Sequence, residues 1–538
     1  MRWSLIPATS VRGALIVRLR GDPLGHEWVS SRIKLALALV LAMVWLTAAS
    51  SLLADTLITN ARIIDGTGSP AMRGSVRLKG DRIAAVGDID ATQSDVIFDA
   101  GGLVLAPGFI DTHSHSDSLI LSERNALAKI TQGITTAVVG QDGDAPYPLG
   151  DFFAALEATP AKVNIAAYAG HNTLRDEVMG ANFSRTASDD EINSMSALLG
   201  QELAAGALGL STGLEYEPGI HSETSEVVHL AQLTADAGGR YISHIRSEDR
   251  WFNDALEEII EIGRVTGMPV QISHLKLAMA SQWGRAPWII QRLNAAREEG
   301  IDLTADIYPY AYWQSHMMVL LPDRDPTDLE AIDFVMAELA PPDGIIFTHF
   351  PAEPLYVGMT LTEIAAAREQ SPAEAFSALA QLSIAHEAET GEIGDMMIGT
   401  SMRDDDIAAF MAWPHTNICT DGSLRDRHPR GAGSFPRVLG RYVREQGVLS
   451  LENAIYRMTA LPAQHMGFGE RGVIAPGMMA DLVLFNPDTV IDRATTSEPF
   501  APSEGIHSVW VAGEWVLHED TVSEAFPGRV IRRSDAQP

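Results

Sequence analysis

The chain has 538 residues, 46% of them hydrophobic and 20% charged, which excludes extensive disorder or a stack of membrane spans and leaves room for one large domain with a smaller satellite. A net charge of −31 repels nucleic acid and anionic lipid, so neither is expected as a partner. The single cysteine, Cys419, rules out an intramolecular disulfide and a cysteine-based zinc finger, so any metal must be held by histidines and carboxylates.

At the N-terminus, Arg32 and Lys34 precede an apolar run from Leu35 to Leu46, followed by the small residues Ala48, Ala49, Ser50 and Ser51. This pattern predicts a secretory signal peptide over residues 1–54 and export, in a bacterial cell to the periplasm; left uncleaved, the segment would act as a membrane anchor. From Thr56 short alternating strands follow, with an Asp65-Gly66 turn and a hairpin at Gly80-Asp81, so residues 55–106 read as part of a small β unit. Residues 466–538 have the same character: a strand over 480–485 and a pair turning at Gly513. The two ends are expected to build one β-sandwich together.

Between them, over residues 107–465, apolar strand-like runs alternate with helical patterns. The runs lie at 135–139, 163–167, 209–212, 241–243, 270–273, 302–305, 345–347 and 417–419. Repeated βα units of this kind predict an α/β fold, a parallel (β/α)8 TIM-like barrel. The stretch 310–342, rich in Met, Pro and acidic residues, reads either as a flap inserted over the barrel mouth or as an extra surface helix.

In such a barrel, polar residues at the C-terminal ends of strands converge on one rim. Phe109-Ile110 leads into Asp111-Thr-His113-Ser-His115, and the period of two in an extended chain points both histidines the same way. His244 and His274 follow two further strands, while Asp142 and Asp421 follow two others. Four imidazoles and two carboxylates on one rim form the donor set of a hydrolytic metal site. His171 and His221 are further candidates for the pocket wall, and His349 for a structural hydrogen bond.

Pro107-Gly-Phe-Ile-Asp-Thr-His-Ser-His-Ser-Asp117 resembles the signature of the amidohydrolase superfamily, and further segments are similar to its D-aminoacylase branch, the N-acyl-D-amino-acid deacylases. These are 209–219, His244-Ile-Arg-Ser-Glu248, Ile272-Ser-His-Leu-Lys276, Asp306-Ile-Tyr-Pro-Tyr310, Asp421-Gly422, His428-Pro-Arg430 and 433–440. The resemblance covers almost everything after Asp55. It implies that His113 and His115 bind one metal, that His244 and His274 bind another, and that Asp421 contacts metal and serves as general acid/base. It further implies that Lys276, Tyr216 and Arg430 hold the carboxylate of a small N-acyl amino acid. Where the family pattern has a metal-binding cysteine in a Gly-Asn-Cys-Gly segment, this chain has Gly140-Gln-Asp-Gly143. Asp142 is expected to replace the thiolate, and a carboxylate that bridges two ions favours a binuclear site over a single zinc; one or two Zn2+ per chain are expected. Glu215 stands where an apolar residue is expected and is open to binding metal, contacting a cationic substrate or pairing at the rim.

The expected reaction is hydrolysis of the amide of an N-acyl-D-amino acid, or a related N-capped amino acid, with Asp421 carrying the proton from water to the leaving nitrogen. A dipeptidase or cyclic-amide hydrolase of the same superfamily would use the same metal residues. A non-catalytic periplasmic binding protein would have no need of Asp421. A homo-oligomer is compatible with the sequence, which specifies no assembly.

Overall fold

The computed structural model describes residues 55–425 and 427–533, so the signal segment expected over 1–54 lies outside the described residues. The first strands alternate and pair locally. Thr56–Ile63 runs antiparallel to Met72–Lys79, which turns at Gly80 into Arg82–Gly87. Val104–Pro107 lies parallel to the first strand and antiparallel to Leu482–Phe485. Through that pairing the C-terminal strands Ile506–Val511, Glu514–His518 and Thr521–Val522 join the N-terminal ones in one nine-stranded sheet. Ile58, Val76, Leu78, Leu105, Leu482 and Trp510 are buried together as a small core of their own. Both ends of the described chain therefore build the satellite of a β-sandwich plus TIM-barrel architecture.

The large domain is a ring of eight parallel strands. In chain order they are Phe109–Asp111, Ile134–Val139, Asn164–Ala167 (resuming at Ala169–Gly170), Gly209–Gly213, Arg240–His244, Val270–Ile272, Leu303–Ile307 and Thr416–Ile418. Each pairs with the next in parallel, and a bridge between Ser114 and Gly422 closes the ring from eighth strand to first. Nearly every strand residue is buried, as a sheet covered on both faces requires. Helix Phe252–Thr266 shows how the outer layer is made: Leu256, Ile259, Ile260 and Gly263 recur at helical spacing and are buried, and the helix stops at Gly267 with φ 67°. Ile110, Val138, Ala166, Leu208 and Ile242 pack together within the ring, joined by Phe468 and Ile531 from the C-terminal part.

One expected barrel strand is not part of the barrel. Residues 345–347 belong to Ile345–His349, which pairs antiparallel with Met396–Thr400, itself antiparallel to Tyr312–Ser315. This small sheet, with helices Leu361–Ala367 and Pro372–Thr390, is inserted between the seventh and eighth barrel strands. The insertion is therefore much longer than the 310–342 segment, which holds its first strand, a helical turn at Met317–Leu320 and the helix Leu329–Phe334 continued through Val335–Leu339. A short buried apolar run has the same local pattern in an antiparallel insert as in a parallel barrel, which is why periodicity misplaced it.

Candidate active site

The C-terminal ends of six barrel strands deliver the site. His113 and His115 follow the first strand, Asp142 the second, Glu215 and Tyr216 the fourth; His244 ends the fifth, His274 follows the sixth and Asp421 the eighth. Asp142, His274 and Asp421 hold left-handed backbone, with φ of 54°, 35° and 50°. Such conformations cost roughly 1–3 kcal/mol each and persist where surrounding contacts enforce them. Here the Asp421 N–H donates to the carbonyl of His113 at 2.9 Å, and the His274 N–H donates to Asp306 Oδ1 at 2.6 Å. Close approach of the Asp142 turn also explains Gly213, where a Cβ would lie 1.9 Å from the Asp142 carbonyl oxygen.

The donors converge in two groups that share Asp142. His113 Nε2 lies 3.3 Å from both Asp142 Oδ2 and Asp421 Oδ1, and His115 Nε2 lies 3.3 and 3.2 Å from the same two atoms. On the other side, His274 Nε2 is 3.6 Å from Asp142 Oδ1 and 3.0 Å from His244 Nδ1. Separations of this size are those of ligands around one ion bonded at about 2.0–2.1 Å. Among the described residues, neither ring nitrogen of the buried His113, nor Asp142 Oδ1, has a hydrogen-bond partner, a costly arrangement for polar atoms unless a cation completes it.

The electrostatics agree. Burial opposes charge on His113, yet the carboxylates of Asp142, Asp421 and Asp306 outweigh it and hold the imidazole well above its ordinary value. For His115 the same contest, decided by hydrogen bonds that its ring donates to Asp142 and Asp421, brings it up to about 10. His274 rises to about 9, with burial and Lys276 opposing and Glu248, Asp421 and Asp142 prevailing. Conversely, burial would raise Asp142 and Asp421, but the imidazoles, and for Asp421 first of all Arg430, hold both below the usual carboxylate range. A cluster that draws protons this strongly demands positive charge, and a divalent cation supplies it while leaving the imidazoles neutral as ligands. Imidazole and carboxylate donors fit zinc, and Asp142, with one oxygen toward each group, fits a bridging position.

The ten residues expected from the sequence to hold metal or substrate lie at this rim. Of the two cations expected to face substrate, Lys276 is within 2.6 and 2.7 Å of the two Glu248 oxygens and 2.7 Å of His274 Nδ1, while Arg430 pairs with Asp421 Oδ2 and lies over the Tyr308 ring. The Tyr216 ring lies tilted at 50° against His244 with centroids 4.3 Å apart, and Glu215 Oε2 lies 2.9 Å from His244 Nε2. Two candidates for the pocket wall lie elsewhere: buried His171 is held by Glu226, which Arg175 also clamps, and His221 faces Glu217 at 3.5 Å. The His349 ring faces the Ile393 carbonyl, at 3.2 Å.

Sequence reasoning missed several contributors. Glu248, four residues beyond His244, backs His274 at 2.8 Å. Asp306, at the end of the seventh strand, binds Gln271 and the His274 amide; like the other rim residues, it was visible as a polar group at a strand end. Lys129 left no local signal. It is fully buried and donates to Asp111, Thr420 and the Gly422 carbonyl, tying the first strand to the eighth. The donors line one side of a cavity of about 460 Å3, whose other wall comes from the insertion: Trp313, Val319, Leu320, Leu339 and Met396.

A profile of the amidohydrolase family matches residues 96–312 and 351–517. The chain belongs to that family. Among curated relatives of this amidohydrolase, the N-acyl-D-glutamate deacylase of Alcaligenes xylosoxydans xylosoxydans is 37% identical over 503 residues, 89% of this chain and 96% of its own. The D-aminoacylase of the same organism is 36% identical over 510 residues, 90% and 98% of the two chains. Among solved structures, N-acyl-D-glutamate deacylase from Bordetella bronchiseptica, complexed with zinc and a phosphonate mimic of the tetrahedral intermediate, superposes with a TM-score of 0.79. It is 36% identical and covers 89% of this chain and 99% of its own. A D-aminoacylase studied for its binuclear metal centre gives 0.77 at 35% identity, again over 89% and 99%.

Proposed function

We propose that this amidohydrolase cleaves the amide bond of N-acyl-D-amino acids, releasing a carboxylic acid and a free D-amino acid. The observation that carries the reading is Asp421: a buried carboxylate with one oxygen toward His113 and His115 and the other on Arg430, opening on the cavity. The deacylase relatives support the choice of substrate. His113, His115, Asp142, His244, His274 and Asp421 would hold the metal. When bound, divalent ions polarise the scissile carbonyl and acidify the attacking water, whose pKa falls toward about 7.

The side chains supply the rest. With the Arg430 guanidinium against it, Asp421 stays ionised and is able to accept a proton. It takes that proton from water as the oxygen adds to the amide carbon, and returns it to the nitrogen as the C–N bond breaks. Lys276, Tyr216 and Arg430 line the cavity around Asp421 and anchor the substrate carboxylate, fixing the amide over the metal ligands. The test is amine release from matched N-acetyl-D- and N-acetyl-L-amino acids by zinc-loaded enzyme. Turnover of the D-series is expected; inert, metal-loaded protein would refute the reading.

We also propose that residues 1–54 direct export to the periplasm. Support comes from the basic, apolar and small-residue order of the segment. N-terminal sequencing of the protein from a periplasmic fraction should find a start near Asp55; full-length protein confined to the cytoplasm would refute it.

A further inference from the structure

Glu215 follows the fourth barrel strand, and its side chain turns back toward the fifth, where Oε2 reaches His244 Nε2 at 2.9 Å. Both side chains are largely buried, at 16% and 3% exposure. A carboxylate on Nε2 places the imidazole proton there and leaves Nδ1 as the lone-pair nitrogen. Nδ1 is the atom that faces His274 Nε2 at 3.0 Å, on the side where His274 also approaches Asp142 Oδ1. His274 also has a carboxylate behind it: Glu248 lies 2.8 Å from its Nδ1, beside Lys276 Nζ at 2.7 Å, and Nε2 turns toward the same point. Each imidazole is thus braced from behind by a carboxylate in close contact, Glu248 Oε2 also standing 3.9 Å from His244 Nε2.

The braces differ in what else they hold. Glu248 is shared with Lys276, whereas among the described residues the only ion-pair partner of Glu215 is His244. The position of Glu215 is also fixed through its backbone. Its carbonyl accepts from Arg324 of the insertion at 2.7 Å, and Arg324 also donates to the carbonyls of Met318, Val319 and Leu321. The neighbouring Leu214 N–H donates to the His244 carbonyl at 3.1 Å.

We infer that Glu215 is a positioning residue for metal binding: it sets the tautomer and orientation of His244 and strengthens it as a ligand, rather than touching substrate. The inference rests on the metal-dependent reading above. Carboxylate partners of ligating histidines change metal affinity by about 10–100-fold when removed.

The test is zinc retention by the whole enzyme, read by elemental analysis after equilibration with chelators of graded strength, for wild type, Glu215→Ala, Glu215→Leu and Glu215→Gln. Alanine and leucine variants should lose one of the two ions at about 10–100-fold weaker chelation while keeping the other, and glutamine, still an acceptor, should recover part of the loss. Two truncations of different bulk keep the result readable if one of them misfolds. At saturating zinc, the KM of a folded variant should stay close to that of wild type. Wild-type zinc retention by the alanine or leucine variant would overturn the inference, as would unchanged retention with a raised KM, which would make Glu215 a substrate contact. Wild-type enzyme that itself binds no zinc would instead remove the metal-dependent reading, and this inference with it.

Discussion

Replacing Lys129 by methionine keeps the length and most of the volume of the side chain while deleting its charge. Lys129 Nζ donates at 2.9 Å to Asp111 Oδ2, at 2.8 Å to Thr420 Oγ1 and at 3.0 Å to the Gly422 carbonyl, and neither Lys129 nor Asp111 is exposed. Asp111 would retain the Thr420 N–H and hydroxyl but lose its only counter-charge among the described residues. Breaking a buried pair on one side costs about 3–5 kcal/mol, because the remaining charge is left uncompensated. With about 2.1 cal/mol/K of unfolding entropy per residue, a folded chain of this length should melt about 3–5 °C lower. The double variant Lys129→Met, Asp111→Asn should recover part of that, since no charge is then stranded. Scanning calorimetry at fixed zinc concentration and scan rate reads the effect. Activity should fall as well, because the same bonds align the strand ends that carry His113 and Asp421. A single variant melting within about 1 °C of wild type, with full activity, would refute the argument.

Asp421→Asn should fold normally yet lose about 10²–10⁴-fold in kcat, since the amide cannot carry the proton; near-wild-type turnover would remove Asp421 from the mechanism. Asp142→Ala should lower the zinc content measured by elemental analysis, because one carboxylate serves both donor groups; unchanged stoichiometry would mean that it ligates neither. The half-buried His465, pushed down to about 3 first by desolvation and then by His415, Arg297 and Arg240, stays neutral in the fold. Its unfolded value is near 6.5, so the unfolded chain binds the extra proton. The contribution of His465 is therefore complete above about pH 6.5 and is lost as pH falls toward about 3, by about 2 kcal/mol at pH 5. His465→Gln should flatten that slope in thermal melts; an unaltered slope would refute the assignment. The apolar wall formed by Val319, Leu320, Leu339 and Met396, with Glu217 lining the same cavity, should favour N-acetyl-D-leucine over N-acetyl-D-glutamate by about tenfold or more in kcat/KM; equal rates would refute it.

How much of the site could be read beforehand depended on where each residue sits relative to a strand. His113, His115, His244, His274, Asp142 and Asp421 were legible because a parallel barrel gathers its strand ends, so order along the chain becomes proximity in space. The chemistry of Lys276 and Arg430 was legible, but not their pairing with Glu248 and Asp421, which depends on which acid lies nearest after folding. Lys129, in the four-residue helix Leu127–Ile130, reads as an ordinary surface lysine; only the closure of the ring puts Thr420 and Gly422 against it. Residues 345–347 read as one more barrel strand because local pattern records burial and not the direction of the neighbouring strand.

The shared nine-stranded sheet sets a timetable for synthesis. Val104–Pro107 is made early but has Leu482–Phe485 as its antiparallel neighbour, and that strand leaves the ribosome only after the whole barrel has been translated. Ile531, which packs inside the ring, comes later still. Until then one edge of the satellite stays unpaired and the barrel interior incomplete, so a nascent chain cut short anywhere before this point should be a substrate for proteases and chaperones rather than a smaller working enzyme.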